Sequence, residues 1–176
     1  MVRSIHSLLQ AYGQMLFVDG IFHADPYAGN LLVFLDGRLG LLDYGQCKVL
    51  DMETRLKLTK IVLALSDNDD DEIAQTLLDA EMAFENITGD NICVSDPSTT
   101  AQILFDISYV EEATVSPTAQ NSILRRIPLK SFNRSLWLVV CVIFILRGLC
   151  FMLKINTFAT TIWRPYALLA LQAEHS

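Results

Sequence analysis

The chain has little positive charge and no organised cysteine. Its 13 Lys and Arg stand against 20 Asp and Glu, for a formal net charge of -7. That balance excludes a nucleic-acid footprint, because neutralising backbone phosphates takes clustered Lys and Arg. The four cysteines, Cys47, Cys93, Cys141 and Cys150, are scattered, with no C-x-x-C pair and no His at metal-ligand spacing, which argues against a zinc site. Reduced, mostly buried thiols in a reducing compartment are expected instead. No long apolar core precedes a small-residue cleavage site near the N-terminus, and the Arg- and Ser-rich length of a transit peptide is missing, so no targeting segment is read in this chain. There is also no internal repeat and no low-complexity linker. The acidic run Asp67 to Glu72 is not a calcium loop: its sixth position is Glu72 rather than Gly and its twelfth is Leu78 rather than Glu,. A solvated helix start is the expected reading of that run.

What is present is apolar surface. At 52% hydrophobic residues over 176 positions, the chain is too apolar to be disordered and long enough to bury a core, so residues 1–176 are read as one domain. From Val2 to Phe17 the residues Ile5, Leu8, Leu9, Tyr12, Met15 and Leu16 recur at three- and four-residue steps, which predicts an amphipathic helix ended by Asp19-Gly20. Leu31 to Leu35 and Arg38 to Leu42 are short apolar runs around Asp36-Gly37, and they predict a β-hairpin between Asn30 and Asp43. Asp51 is positioned to cap a helix carrying Leu56, Leu58, Ile61, Val62 and Leu65, and a second helix is expected to begin within Asp67 to Glu72. A loop over Asn86 to Pro97, a helix over Thr100 to Glu112 and another begun by Pro117 follow. The most apolar segment, Leu136 to Leu153, approaches a membrane span in length but carries Arg147 well inside, which favours a buried globular helix over a membrane anchor. A last helix is expected around Trp163 to Leu171, with Pro165 in its first turn.

The chemistry concentrates in His23-Ala24-Asp25-Pro26-Tyr27-Ala28-Gly29-Asn30 and in Leu41-Leu42-Asp43-Tyr44-Gly45. An acid, an amide and a second acid stand at the spacings of the protein-kinase loop H-R-D-x-x-x-x-N and the following D-F-G, where phosphoryl transfer needs a carboxylate near the attacking hydroxyl and oxygen ligands for magnesium. With Ala after His and with Pro and Gly inside the loop, the motif resembles the UbiB-type atypical kinase family, whose usual form is H-A-D-P-H-P-G-N followed by L-L-D-F-G. Tyr27, Ala28 and Tyr44 depart from it, and none of them replaces a ligand or base.

The resemblance implies a protein-kinase-like C-terminal lobe, mainly α with a small β-hairpin. Residues 1–50 would hold the catalytic loop and metal-binding hairpin, and residues 51–176 the helical remainder. It implies ATP and magnesium as cofactors, with Asp25 as base or hydroxyl-orienting group. Asn30 and Asp43 would be the magnesium ligands, Gly45 part of the nucleotide site, and His23 and Gly29 structural supports. It further implies phosphoryl transfer or ATP hydrolysis linked to quinone or isoprenoid lipid metabolism, in a mitochondrion or plastid, with association to a membrane surface or lipid as a possible partnership and no nucleic acid. In such kinases an earlier lobe supplies a nucleotide-covering loop, a phosphate-pairing Lys and its Glu. Only 22 residues precede His23, and Lys48, Lys57 and Lys60 follow Asp43, so this chain is expected to lack that lobe and to be at best feebly active alone. A fragment, a short paralogue and a piece that docks with a partner all fit. The rival reading is a pseudokinase-like binding module that contacts a protein partner or membrane surface without catalysis.

Overall fold

The computed structural model describes residues 2–84, 97–108, 129–131 and 133–174. Six α-helices and three two-stranded antiparallel sheets are found among them, so the chain is mainly helical, as expected. The predicted loop from Asn86 and the helix predicted at Pro117 lie outside the described residues.

Helix α1 (Val2–Gly13) buries Ile5, Leu8, Leu9 and Tyr12 on one stripe, and Met15 packs partly buried beyond its end. It passes directly into a π-helical turn, Gln14–Asp19, whose Leu16 and Phe17 are buried and whose end is Gly20 in the left-handed conformation. The apolar period was legible; the switch to a wider turn was not.

Strand β1 (Ile21–His23) pairs with β4 (Cys47–Val49), with His23 opposite Cys47. Between them sits the predicted hairpin, β2 (Leu31–Val33) with β3 (Leu39–Leu41), Leu31 opposite Leu41. The hairpin turns through Leu35, Asp36 and Gly37. Gly37 N–H reaches Phe34 O at 2.9 Å and Gly37 takes φ 87°, so the loop is one residue longer than a tight Asp-Gly turn, with glycine at the left-handed position,. Nesting one pair inside the other has a geometric consequence. The two connections, residues 24–30 and 42–46, run side by side and are bridged at both ends: Ala24 N–H donates to Gln46 O at 3.0 Å and Leu42 N–H to Asn30 O at 2.8 Å.

Helices α2 (Met52–Asp67) and α3 (Asp70–Asp79) begin where expected. Asp51 Oδ1 accepts from Thr54 N–H at 2.7 Å, and Asp69 Oδ1 from Glu72 N–H at 3.0 Å. A third short pair joins β5 (Ala83–Phe84) to β6 (Leu129–Ser131). Helix α5 (Arg134–Met152) is capped by Asn133, and α6 (Ala159–Glu174) lies against α1 and α2. By length and composition α5 could cross a membrane; half of its most apolar window is buried inside the molecule, where it packs on α2 and on α4 (Pro97–Phe105).

Three expectations need correction. The helix read over Thr100 to Glu112 runs instead from Pro97 to Phe105. A continuing helix would join Ile107 N–H to Ile103 O. Here Asp106 Oδ1 takes the N–H at 2.7 Å and Arg147 Nη2 donates to the carbonyl at 2.6 Å, so both halves of that bond are spent elsewhere. The last helix starts at Ala159, which places Pro165 in its interior rather than its first turn. The early start comes from Asp106, whose Oδ1 accepts from Ala159 N–H at 2.6 Å across 53 residues. Finally, mostly buried thiols were expected: Cys150 is buried and Cys141 half-buried, but Cys47, on β4, is exposed.

Candidate functional site

His23 closes β1 and is 1% exposed. Its Nε2 lies 2.9 Å from both Leu42 O and Asp43 O, and its Nδ1 is 3.3 Å from Asp25 N–H. Since Nδ1 faces a donor and Nε2 faces two acceptors, the hydrogen-bond pattern assigns the proton to Nε2. One imidazole thereby holds both connections, the one that carries Asp25 and the one that carries Asp43. Its own carbonyl accepts from the buried Tyr12 hydroxyl at 2.7 Å. Burial pushes that phenol far above its ordinary range and keeps it a donor,.

Asn30 sits in a short 3-10 turn, Ala28–Asn30, and is buried. Its Nδ2 donates to Asp25 O at 3.0 Å and to Asp25 Oδ2 at 3.3 Å. The acceptors identify this atom as the nitrogen, so the amide oxygen is the end left for a cation. Asp43 has φ 58° and ψ 74°, a left-handed conformation that few residues other than glycine adopt, and its Oδ1 accepts from Gly45 N–H at 3.2 Å,.

Positive φ falls on Asp43 rather than on Gly29 or Gly45. What Gly29 provides is space: a Cβ there would lie 2.3 Å from the Tyr27 ring. Tyr27, one of the departures from the usual motif, lays its exposed ring over Gly29, and a side chain there would displace that ring.

Among the described residues no group of three or more His, Cys, Asp or Glu forms a metal cluster. Asp25 and Asn30 lie on one connection and Asp43 on the other, and the side-chain acceptors they offer are all oxygen, which suits a hard cation such as magnesium that keeps several waters and phosphate oxygens as its other ligands,. Asp25 is half-buried and Asp43 exposed, so the arrangement is an open face rather than a closed cage. Around it, Leu32, Val33, Phe34, Leu35 and Tyr44 are exposed. Two residues central to the molecule escaped sequence reading, Tyr12 and Asp106. Tyr12 looked like one more apolar position, and nothing local marks Asp106 as a distant helix cap.

Residues 3–77 match the ABC1 atypical kinase-like domain. An uncharacterised protein of Synechocystis is 48% identical over 68 residues, covering 39% of this chain and 17% of that protein. Two chloroplastic proteins of Arabidopsis thaliana are also similar. Activity of bc1 complex kinase 3 is 34% identical over 71 residues, covering 40% of this chain and 10% of its own length. Activity of bc1 complex kinase 7 is 30% identical over 73 residues, covering 42% and 10%. The matched segment thus spans less than a fifth of each of these relatives. The segment 3–77, which holds the loop, the hairpin, α2 and most of α1 and α3, is thus similar to the ABC1 atypical kinase-like domain, in agreement with the UbiB-type resemblance of the octapeptide.

Proposed function

We propose that the face formed by residues 23–30 and 43–45 binds ATP with magnesium and serves phosphoryl transfer or ATP hydrolysis. Asn30 and Asp43 hold the cation, Asp25 orients the acceptor hydroxyl or water, and Gly45 N–H keeps the Asp43 carboxylate in place. His23 acts as a positioning residue. Bound magnesium would neutralise charge on the phosphate oxygens. The observation that supports this most is that one imidazole bonds the backbone N–H of Asp25 and the backbone carbonyl of Asp43, holding together the two connections that carry the acids, while Asn30 donates to the Asp25 carboxylate. The two Arabidopsis relatives are named as chloroplastic kinases, which favours a plastid as the compartment, and quinone or isoprenoid lipid metabolism is the setting that the UbiB-type resemblance implies.

The second reading, a non-catalytic module contacting a protein or membrane surface, draws on the exposed apolar tip of the hairpin, where Val33, Phe34 and Leu35 face outward,. A titration of the 176-residue chain with ATP and magnesium separates the two. Saturable binding is expected, with its magnesium-dependent part removed by Asp43→Ala. Asp25→Asn is expected to leave binding in place and to remove the feeble turnover expected of this chain alone. No saturable signal, or one indifferent to Asp43→Ala, leaves the module reading standing.

A further inference from the structure

The peptide unit that joins β1 to the connection carrying Asp25 is held on both of its polar groups. Its N–H, that of Ala24, donates to Gln46 O at 3.0 Å. Its carbonyl, that of His23, accepts from the Tyr12 hydroxyl at 2.7 Å, from a side chain eleven residues earlier, and that length is the favoured one for an O–H···O bond. A trans peptide is planar and its N–H and C=O point in opposite directions, so two such bonds fix the plane of the unit. One bond ties it to the connection that carries Asp43, and the other ties it to α1.

Tyr12 is 0% exposed and His23 1%, so no bulk water stands ready to replace the hydroxyl, and a buried carbonyl stripped of its donor is costly. The phenol is pushed above its ordinary range by burial first and by the charge of Asp25 second, which places it within electrostatic reach of that carboxylate,. The turn of α1 that carries Tyr12 is itself seated on α6. Trp163 Nε1 donates to Leu9 O at 2.8 Å, and Gly13 leaves room for the Tyr166 ring, which lies 2.5 Å from where a Cβ would stand. We propose that Tyr12 is a positioning residue for the binding of magnesium and nucleotide: its hydroxyl fixes the peptide between β1 and Asp25, and with it the His23 ring that sets the separation of the two acid-bearing connections. This rests on the nucleotide reading and adds to it a group from outside the loop and hairpin.

Titration of the full chain with Mg–ATP, in wild type, Tyr12→Phe and Ile5→Val, tests the assignment alongside heteronuclear NMR of the His23 ring nitrogens. Tyr12→Phe keeps the buried ring and loses only the donor. Ile5→Val loosens the same buried stripe of α1 about two turns earlier,. Tyr12→Phe is expected to weaken Mg–ATP binding by about three- to tenfold, the factor one hydrogen bond carries, and to move the ring nitrogens away from the single form protonated at Nε2. Ile5→Val is expected to lower the melting temperature and to change neither reading. Unchanged affinity in Tyr12→Phe, an unchanged ring signal, or an equal loss of affinity in Ile5→Val would each overturn the role of Tyr12 while leaving the nucleotide reading in place. A wild-type chain that shows no saturable Mg–ATP binding overturns both.

Discussion

At Asp106 the carboxylate accepts from Ile107 N–H, Ala159 N–H and the Thr160 hydroxyl, while the carbonyl of the same residue accepts from Arg147. A single residue therefore ends α4, starts α6 and meets α5. Burial is the dominant influence on its carboxyl and pushes it above the ordinary value of 3.8, with the hydrogen bonds from Ile107, Ala159 and Thr160 opposing,. The sign for stability follows from proton counts. Above the ordinary value the unfolded chain has lost its proton while the folded chain still holds it, so the unfolding free energy falls as pH rises towards the folded-state value. Urea unfolding followed from roughly pH 4 upward is expected to show that decline. In Asp106→Asn, which keeps an acceptor for Ala159 N–H but does not titrate, the decline should flatten. A slope unchanged by the substitution would assign the effect to other groups.

Among the elements, helix starts carried the clearest local signals. Asp51 and Asp69 each precede a helix and each accepts from an N–H three residues on, a chemistry confined to one turn and so legible without knowing the fold. Asp51→Ala is expected to cost about 1 kcal/mol in chemical denaturation, and Asp51→Asn much less, because the amide oxygen still reaches Thr54 N–H. The Thr54 backbone N–H also holds the Asp51 carboxyl below its usual range, so the cap's contribution is lost as pH falls through that lowered value. The hairpin was equally readable from Asp36-Gly37. The pairings β1 with β4 and β5 with β6 were not: strands of two or three residues are too short for an alternation to register, and their partners lie 24 or more residues away,. Helix ends set by a distant side chain, as at Phe105 and Ala159, are hidden for the same reason.

The molecule as a whole is held around α6. Trp163 is fully buried, donates from Nε1 to Leu9 O at 2.8 Å and packs its ring 5.9 Å from that of Phe17. This joins the first helix and the π-helical turn to the last helix. Trp163→Ala is expected to cost about 3–5 kcal/mol, a large share of the roughly 5–15 kcal/mol that holds a typical domain together. Circular dichroism melts and urea unfolding would register the loss, whereas an effect under about 1 kcal/mol would show that α6 packs independently of α1. Surface pairs such as Arg164 with Asp67 at 2.8 Å contribute far less, being partly exposed and screened. By itself the sequence determined the helical periods, the caps, the hairpin turn and the spacing of Asp25, Asn30 and Asp43, because each depends on residues within a few turns of one another. Only the tertiary structure decided that one buried histidine ties Asp25 to Asp43, that Asp106 and Arg147 set the ends of helices far from them in the chain, and that the Tyr12 hydroxyl meets the His23 carbonyl. Those outcomes depend on which distant groups burial brings within hydrogen-bond reach, and no local pattern encodes that.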